Sequence, residues 1–136
     1  MGDTTTASDA AVHGQLIENG SEKIVLALPG TDYQLHLVVT GRVAVEAGKR
    51  VTGRVLARAK RVDVVGTGGR FIEPVYGRPR RVQGRIAETD ASANTITVQC
   101  ACPIVCELTV GQRASEFELG QLVSFDVEPG ARFEPM

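Results

Sequence analysis

Two patterns alternate along this chain: short apolar runs closed by turn residues, and stretches in which every second residue is apolar. Ile24-Val25-Leu26-Ala27-Leu28 is of the first kind, and the Pro29-Gly30-Thr31-Asp32 that follows is strong turn chemistry. Tyr33, Leu35, Leu37 and Val39 then alternate with Gln34, His36 and Val38, the period of two that marks a half-buried strand. Together they predict a hairpin with a four-residue connection. Over residues 51–60, Val51, Val55, Ala57 and Ala59 share one strand face, and Thr52, Arg54, Leu56, Arg58 and Lys60 share the other. Strand signals dominate the rest, and only 111–119 has room for a turn or two of helix. Residues 1–12 are small and polar with no apolar face to bury, so they read as a mobile tail.

The order of apolar positions recurs. Gly14, Leu16 and Glu18 answer to Gly84, Ile86 and Glu88, and Ile24, Leu26 and Leu28 to Ile96, Val98 and Cys100. Leu37 and Val39 answer to Leu108 and Val110. A second landmark, Ala47-Gly48 with Val51 and Val55, is matched by Leu119-Gly120 with Val123 and Val127. The offset stays between 70 and 72, and its changes fall in turns, where insertions are cheap. Each copy has four or five short strands in about 50 residues, and a flat sheet that small leaves one face and two edges bare, so closure into a barrel is favoured.

The expected architecture is therefore all-β: two tandem small barrels, OB-like or SH3-like, from an internal duplication, or alternatively one barrel in which both halves interleave. The divisions are a tail at 1–12, a first repeat at 13–61, a basic Gly/Pro linker or hairpin at 62–82, and a second repeat at 83–136. The strand pattern resembles tandem OB-like modules, and GGRFIEPVYGRPRRVQGR (68–85) is similar to a segment of uncharacterised bacterial proteins of similar length. That resemblance implies the fold alone and brings no activity or site residue with it.

A length of 136 residues suits one ordinary domain or two very small ones, and 43% apolar residues supply a core. No run approaches the roughly 18 apolar residues of a membrane helix, and the start shows no signal-peptide pattern. The three cysteines all lie between Cys100 and Cys106, too close together to staple distant parts of the fold, which points to a reducing, cytoplasmic setting. Met1-Gly2 with Thr6, and Asn19-Gly20-Ser21, match lipidation and glycosylation patterns short enough to arise by chance.

A formal net charge of −1 hides strong segregation. Residues 49–85 hold 11 Lys and Arg against Asp63 and Glu73, whereas 86–136 hold eight acids against Arg113 and Arg132. Arg54, Arg58 and Lys60 crowd one strand face at about 6–7 Å spacing, so they must face water or acids on a neighbouring strand. Next come Arg70, Phe71, Tyr76, Arg78, Arg80 and Arg81 on a Gly/Pro-rich segment. Aromatic rings among guanidinium groups suit single-stranded nucleic acid, whose bases stack while its phosphates are held.

The expected function is thus a non-enzymatic binding module that engages single-stranded nucleic acid or another polyanion through Arg54, Arg58, Lys60, Arg70, Phe71, Tyr76, Arg78, Arg80 and Arg81. The alternative is a protein-interaction or self-assembly module. At matched repeat positions Arg54 answers to Asp126 and Leu56 to Glu128, so equivalent surfaces carry opposite charge and could pair within or between chains. The location of the acids of 116–128 decides between these readings.

Other chemistry is thinner. Cys100, Cys102 and Cys106 lack a fourth ligand nearby for tetrahedral zinc; alternation puts Cys100 and Cys106 in the core and leaves Cys102 exposed in the turn before Pro103. His36 falls on an outward strand face, where a solvated ring is expected. Gly66-Thr67-Gly68-Gly69 reads as a hairpin turn. No acid, base and nucleophile assemble, so no catalytic residue, metal or cofactor is expected.

Overall fold

The computed structural model describes residues 10–109 and 111–136. Apolar side chains at every second position build twelve short strands: β1 (Val12–Asn19), β2 (Lys23–Ala27), β3 (Gln34–Val38), β4 (Arg50–Arg58), β5 (Asp63–Val64), β6 (Phe71–Glu73), β7 (Tyr76–Gly77), β8 (Arg81–Asp90), β9 (Thr95–Gln99), β10 (Pro103–Glu107), β11 (Leu122–Asp126) and β12 (Arg132–Pro135). The only helical piece among the described residues is a single 3₁₀ turn at Ala114–Glu116, inside the window expected for one. None of their helices is long and apolar enough to cross a membrane.

Strands β1, β2, β3, β12 and β4 follow one another around a closed barrel, with β4 returning to pair antiparallel with β1. The expected hairpin is there: β2 and β3 pair from Lys23↔Val38 to Ala27↔Gln34, and Leu28 N–H donates to the Tyr33 carbonyl across the four-residue turn. From β4 the sheet runs on through β10, β9, β8, β11 and β5. Strand β4 is shared: residues 50–53 pair with β1, 53–56 with β12, and 55–58 run parallel to β10. The alternation expected over 51–60 holds, with Val51, Val55, Ala57 and Ala59 buried in a contiguous core.

The pairings β8–β9, β9–β10 and β8–β11 follow the same order as β1–β2, β2–β3 and β1–β4. Register shifts fall at matched places, between Leu16 and Glu18 and between Ile86 and Glu88. Leu16 exchanges backbone hydrogen bonds with Gly48 and Lys49, and Ile86 does so with Gly120 and Gln121. Further along, the ladders differ from the sequence match. Leu37 stands opposite Ile24 and Cys106 opposite Ile96, so Leu37 corresponds to Cys106 and not to Leu108. The sequence match follows hydrophobicity, which a two-residue slip preserves. Val110 lies outside the described residues.

Three other expectations change. Residues 1–9 lie outside the described residues, but Ala10 and Val12 are buried and Val12 pairs with Gly53, so strand order begins before the expected tail ends. Gly66–Gly69 does not turn a hairpin: β5 pairs with β11 and β6 with β8, so the segment joins strands that lie apart. β12, from the second expected repeat, completes the barrel built by strands of the first.

Gly14 and Gly84 explain a close approach that the repeat only hints at. A Cβ on Gly14 would sit 2.6 Å from Leu26 Cδ1, and one on Gly84 would strike the Gln99 carbonyl oxygen. Backbone at Gly84 has little room to yield, because the strand pairs on both sides. Gly84→Ala should therefore cost about 1–3 kcal/mol, seen as a lower urea midpoint at unchanged slope. Gly69→Ala, whose Cβ meets open space, should move the midpoint little.

Candidate nucleic-acid interface

On β4 the outward cations meet carboxylates held directly across from them. Glu134 of β12 is the cross-strand neighbour of Arg54, and their side chains approach to 3.5 Å. Glu107 of β10 is the neighbour of Arg58, with contacts of 3.6 Å to Glu107 and 3.9 Å to Glu128. Arg81 at the start of β8 faces Asp126 of β11, bonding its carboxylate at 2.8 Å and Ser124 Oγ at 2.8 Å. These pairs are solvent-exposed, so each contributes only about 0–1 kcal/mol. Their effect on a binding surface is larger, because each cancels a cation that a polyanion would use.

Lys60, Arg70, Arg78 and Arg80 are exposed and make no ion pair among the described residues. Arg70 lies near enough to Cys100 to act on its thiol electrostatically. The two aromatics of this segment part company. Phe71 is half-buried on β6, while Tyr76 on β7 is 62% exposed. Strand β7 runs parallel to β3, with Tyr76 at the level of Gln34, and the Tyr76 and His36 rings meet in a T-shaped contact with centroids 4.6 Å apart.

That parallel pairing builds a cleft of about 320 Å³ whose walls come from four places in the sequence. Lys23 comes from β2, His36 and Val38 from β3, Arg78 and Arg80 from the segment after β7, and Gly130 from the turn before β12. No carboxylate lines it. A second cleft of about 370 Å³, with Glu73, Pro74 and Arg81, adjoins it at Arg80. Another groove, of about 660 Å³, has the opposite character: Glu88, Asp90 and Glu107 line it, and its one cation, Arg54, is paired with Glu134.

So six of the nine residues expected to form one strip fall into two groups, and Lys60, Arg70 and Phe71 belong to neither. Tyr76, Arg78 and Arg80 gather at the basic cleft, and Arg54, Arg58 and Arg81 face the chain's own acids. Sequence reasoning missed Lys23 and the part played by His36. The hairpin register alone would have placed Lys23 opposite Val38. Nothing periodic announces that β7 lies beside β3. His36 is half-buried with its Nε2 enclosed and unbonded, rather than freely solvated. Asn19 donates through Nδ2 to the Val43 and Val45 carbonyls at 2.9 and 2.7 Å, so the atom that a glycan would need holds a loop instead.

The cysteines belong to the core. Cys102 is buried with Cys100 and Cys106, against the expectation that it is exposed: the turn is tight enough for Cys100 N–H to donate to the Cys102 carbonyl, and it folds the side chain inward. Among the described residues no group of His, Cys, Asp and Glu has the arrangement of a metal site. Burial pushes the Cys100 thiol up to about 11, opposed by backbone hydrogen bonds and by Arg70. Burial, and then the neighbouring thiols, raise Cys102 and Cys106 as well.

A thiol reagent at pH 8 should therefore label the folded protein very slowly and all three cysteines in denaturant. The unfolded chain sheds thiol protons near pH 9 while the folded chain keeps that of Cys100 to about 11. Between those values the unfolded state binds fewer protons, so stability falls as pH rises through the window. In Cys100→Ala that decline, followed by urea unfolding, should be shallower. No protein-family model matches this chain, and neither does any curated protein or solved structure.

Proposed function

We propose that this protein is a non-enzymatic binding module that engages single-stranded nucleic acid, or another polyanion of the same charge spacing, through the segment 70–80. One observation carries the reading. Arg78 and Arg80 make no ion pair among the described residues and follow closely on Tyr76, the exposed ring of that segment. A strand of bases and phosphates needs that combination: a π-face to stack on and cations for the backbone. Val75 and Val38, both about half exposed, add apolar surface beside the ring.

The same reading takes the two halves as tandem small barrels descended from one. Its support is the matched register shifts, the matched glycines and the matched bonds of Leu16 and Ile86. The halves then divide the labour. Carboxylates at Asp126, Glu128 and Glu134 neutralise the flanks of the basic half, and only the 70–80 face is left for a ligand. A reducing cytoplasmic setting fits the three buried, unbridged thiols. The opposed charges that would let two copies associate are engaged within one chain at Arg54, Arg58 and Arg81, which favours ligand binding over self-assembly.

Titration of a labelled mixed-sequence single-stranded oligonucleotide at about 50 and 200 mM salt tests this. With four phosphates engaged at a slope of about −0.7 each, affinity should fall about 50-fold between the two. Replacing Arg78, Arg80 and Arg81 together by Ala should weaken binding and flatten the salt dependence. Arg54→Gln with Arg58→Gln should change either quantity little. Absence of binding by the wild type at the lower salt would sink the reading.

A further inference from the structure

We infer that the cleft between Lys23, His36, Arg78 and Arg80 is a phosphate subsite for a nucleic-acid strand, with the adjoining base placed on Tyr76. The inference rests on the reading of the protein as a nucleic-acid-binding module and gives that reading a specific seat. Lys23 and His36, which lie far from the basic segment in sequence, become part of the site.

Three observations converge. First, three cations from two separate parts of the chain line one cleft of about 320 Å³ that has no carboxylate in its wall. Like charges gathered without an acid repel one another, and an incoming anion relieves that repulsion. Elsewhere on this surface Arg54, Arg58 and Arg81 each have a carboxylate within 4.0 Å, so the absence of one here is local. Second, the cation types complement each other. Arg78 and Arg80 offer planar forks for phosphate oxygens, and Lys23 offers a compact charge from the opposite wall. Third, the ring at the rim is held at a fixed angle. Tyr76 stands at 74° to His36 with ring centroids 4.6 Å apart, and the residue remains 62% exposed.

His36 is the floor of this arrangement. Its enclosed Nε2 has no hydrogen-bond partner among the described residues, and its ring packs against that of Tyr76. The neighbouring Gly130 has φ of +102°, and the backbone there carries no side chain into the cleft mouth. A free phosphate and a strand phosphate present the same oxygens, and only the strand also brings a base to Tyr76.

The test uses the full chain and two probes, a labelled dT12 oligonucleotide and inorganic tripolyphosphate. Lys23→Gln with Arg80→Gln should weaken dT12 binding at least 10-fold and lower the salt slope by about 1.4. Tyr76→Ala should weaken it about 5- to 100-fold and leave the slope unchanged. Tripolyphosphate should shift the backbone NMR resonances of Lys23, His36 and Arg78 and compete with dT12. Wild-type affinity in the Lys23/Arg80 variant, while the wild type binds dT12 well, would overturn the subsite and leave the broader reading standing. If the wild type does not bind dT12 at all, the broader reading fails. The tripolyphosphate shifts then decide alone: shifts at those residues keep the phosphate site, and their absence overturns it.

Discussion

Nine residues of β4 have to pair on both edges and line a core at the same time. Its first residues hold β1, its middle holds β12 and its last residues run beside β10, so three strands share its two edges. The inward face must then be small and apolar, and Val51, Gly53, Val55, Ala57 and Ala59 meet that demand. Every charged side chain of the strand is forced to the other face. Cross-strand neighbours at Glu134 and Glu107 receive them there, because side chains directly opposite one another in a ladder are about 5 Å apart. Arg54 and Arg58 are thus paired across the ladders, while Arg50 at the start of the strand makes no ion pair among the described residues. Around β6 and β7, where the strands are two or three residues long, Arg70, Arg78 and Arg80 make no ion pair among the described residues.

This division explains why half of the candidate site was legible in the sequence. Charge segregation and the interleaving of Arg78 and Arg80 with Tyr76 need no tertiary information to be seen. Which cations remain available depends on the parallel pairing of β10 with β4 and the antiparallel pairing of β12 with β4, between segments tens of residues apart. Such pairing leaves no periodic trace. The same limit hid Lys23: a lone cation at a strand end becomes informative only when β7 is known to lie against β3.

Much of the fold was legible for the opposite reason. The hairpin of β2 and β3, the inward face of β4 and the correspondence of Gly14 with Gly84 rest on local alternation and turn chemistry. The errors were also local in kind. Cys102 was misplaced because a residue before a proline in a turn is normally exposed, and here the turn curls its thiol under. The match of Leu37 with Leu108 failed because a slip of two residues keeps every side chain on its face, so hydrophobic order cannot detect it.

The position of β12 has a consequence for how the chain is made. It lies between β3 and β4 in the barrel, yet it is translated after every other strand. From Val38 to Arg132 a ribosome needs on the order of 5–20 seconds, and through that time the Val38 end of β3, beyond the two residues that β7 covers, lacks its neighbour. Folding of the amino-terminal half during synthesis therefore stops short of closure, and the last short strand acts as the latch. Until it arrives, the part of β3 beyond β7 is a bare edge of the kind that recruits strands from other chains, so the interval before β12 docks is when the barrel is most exposed to aggregation.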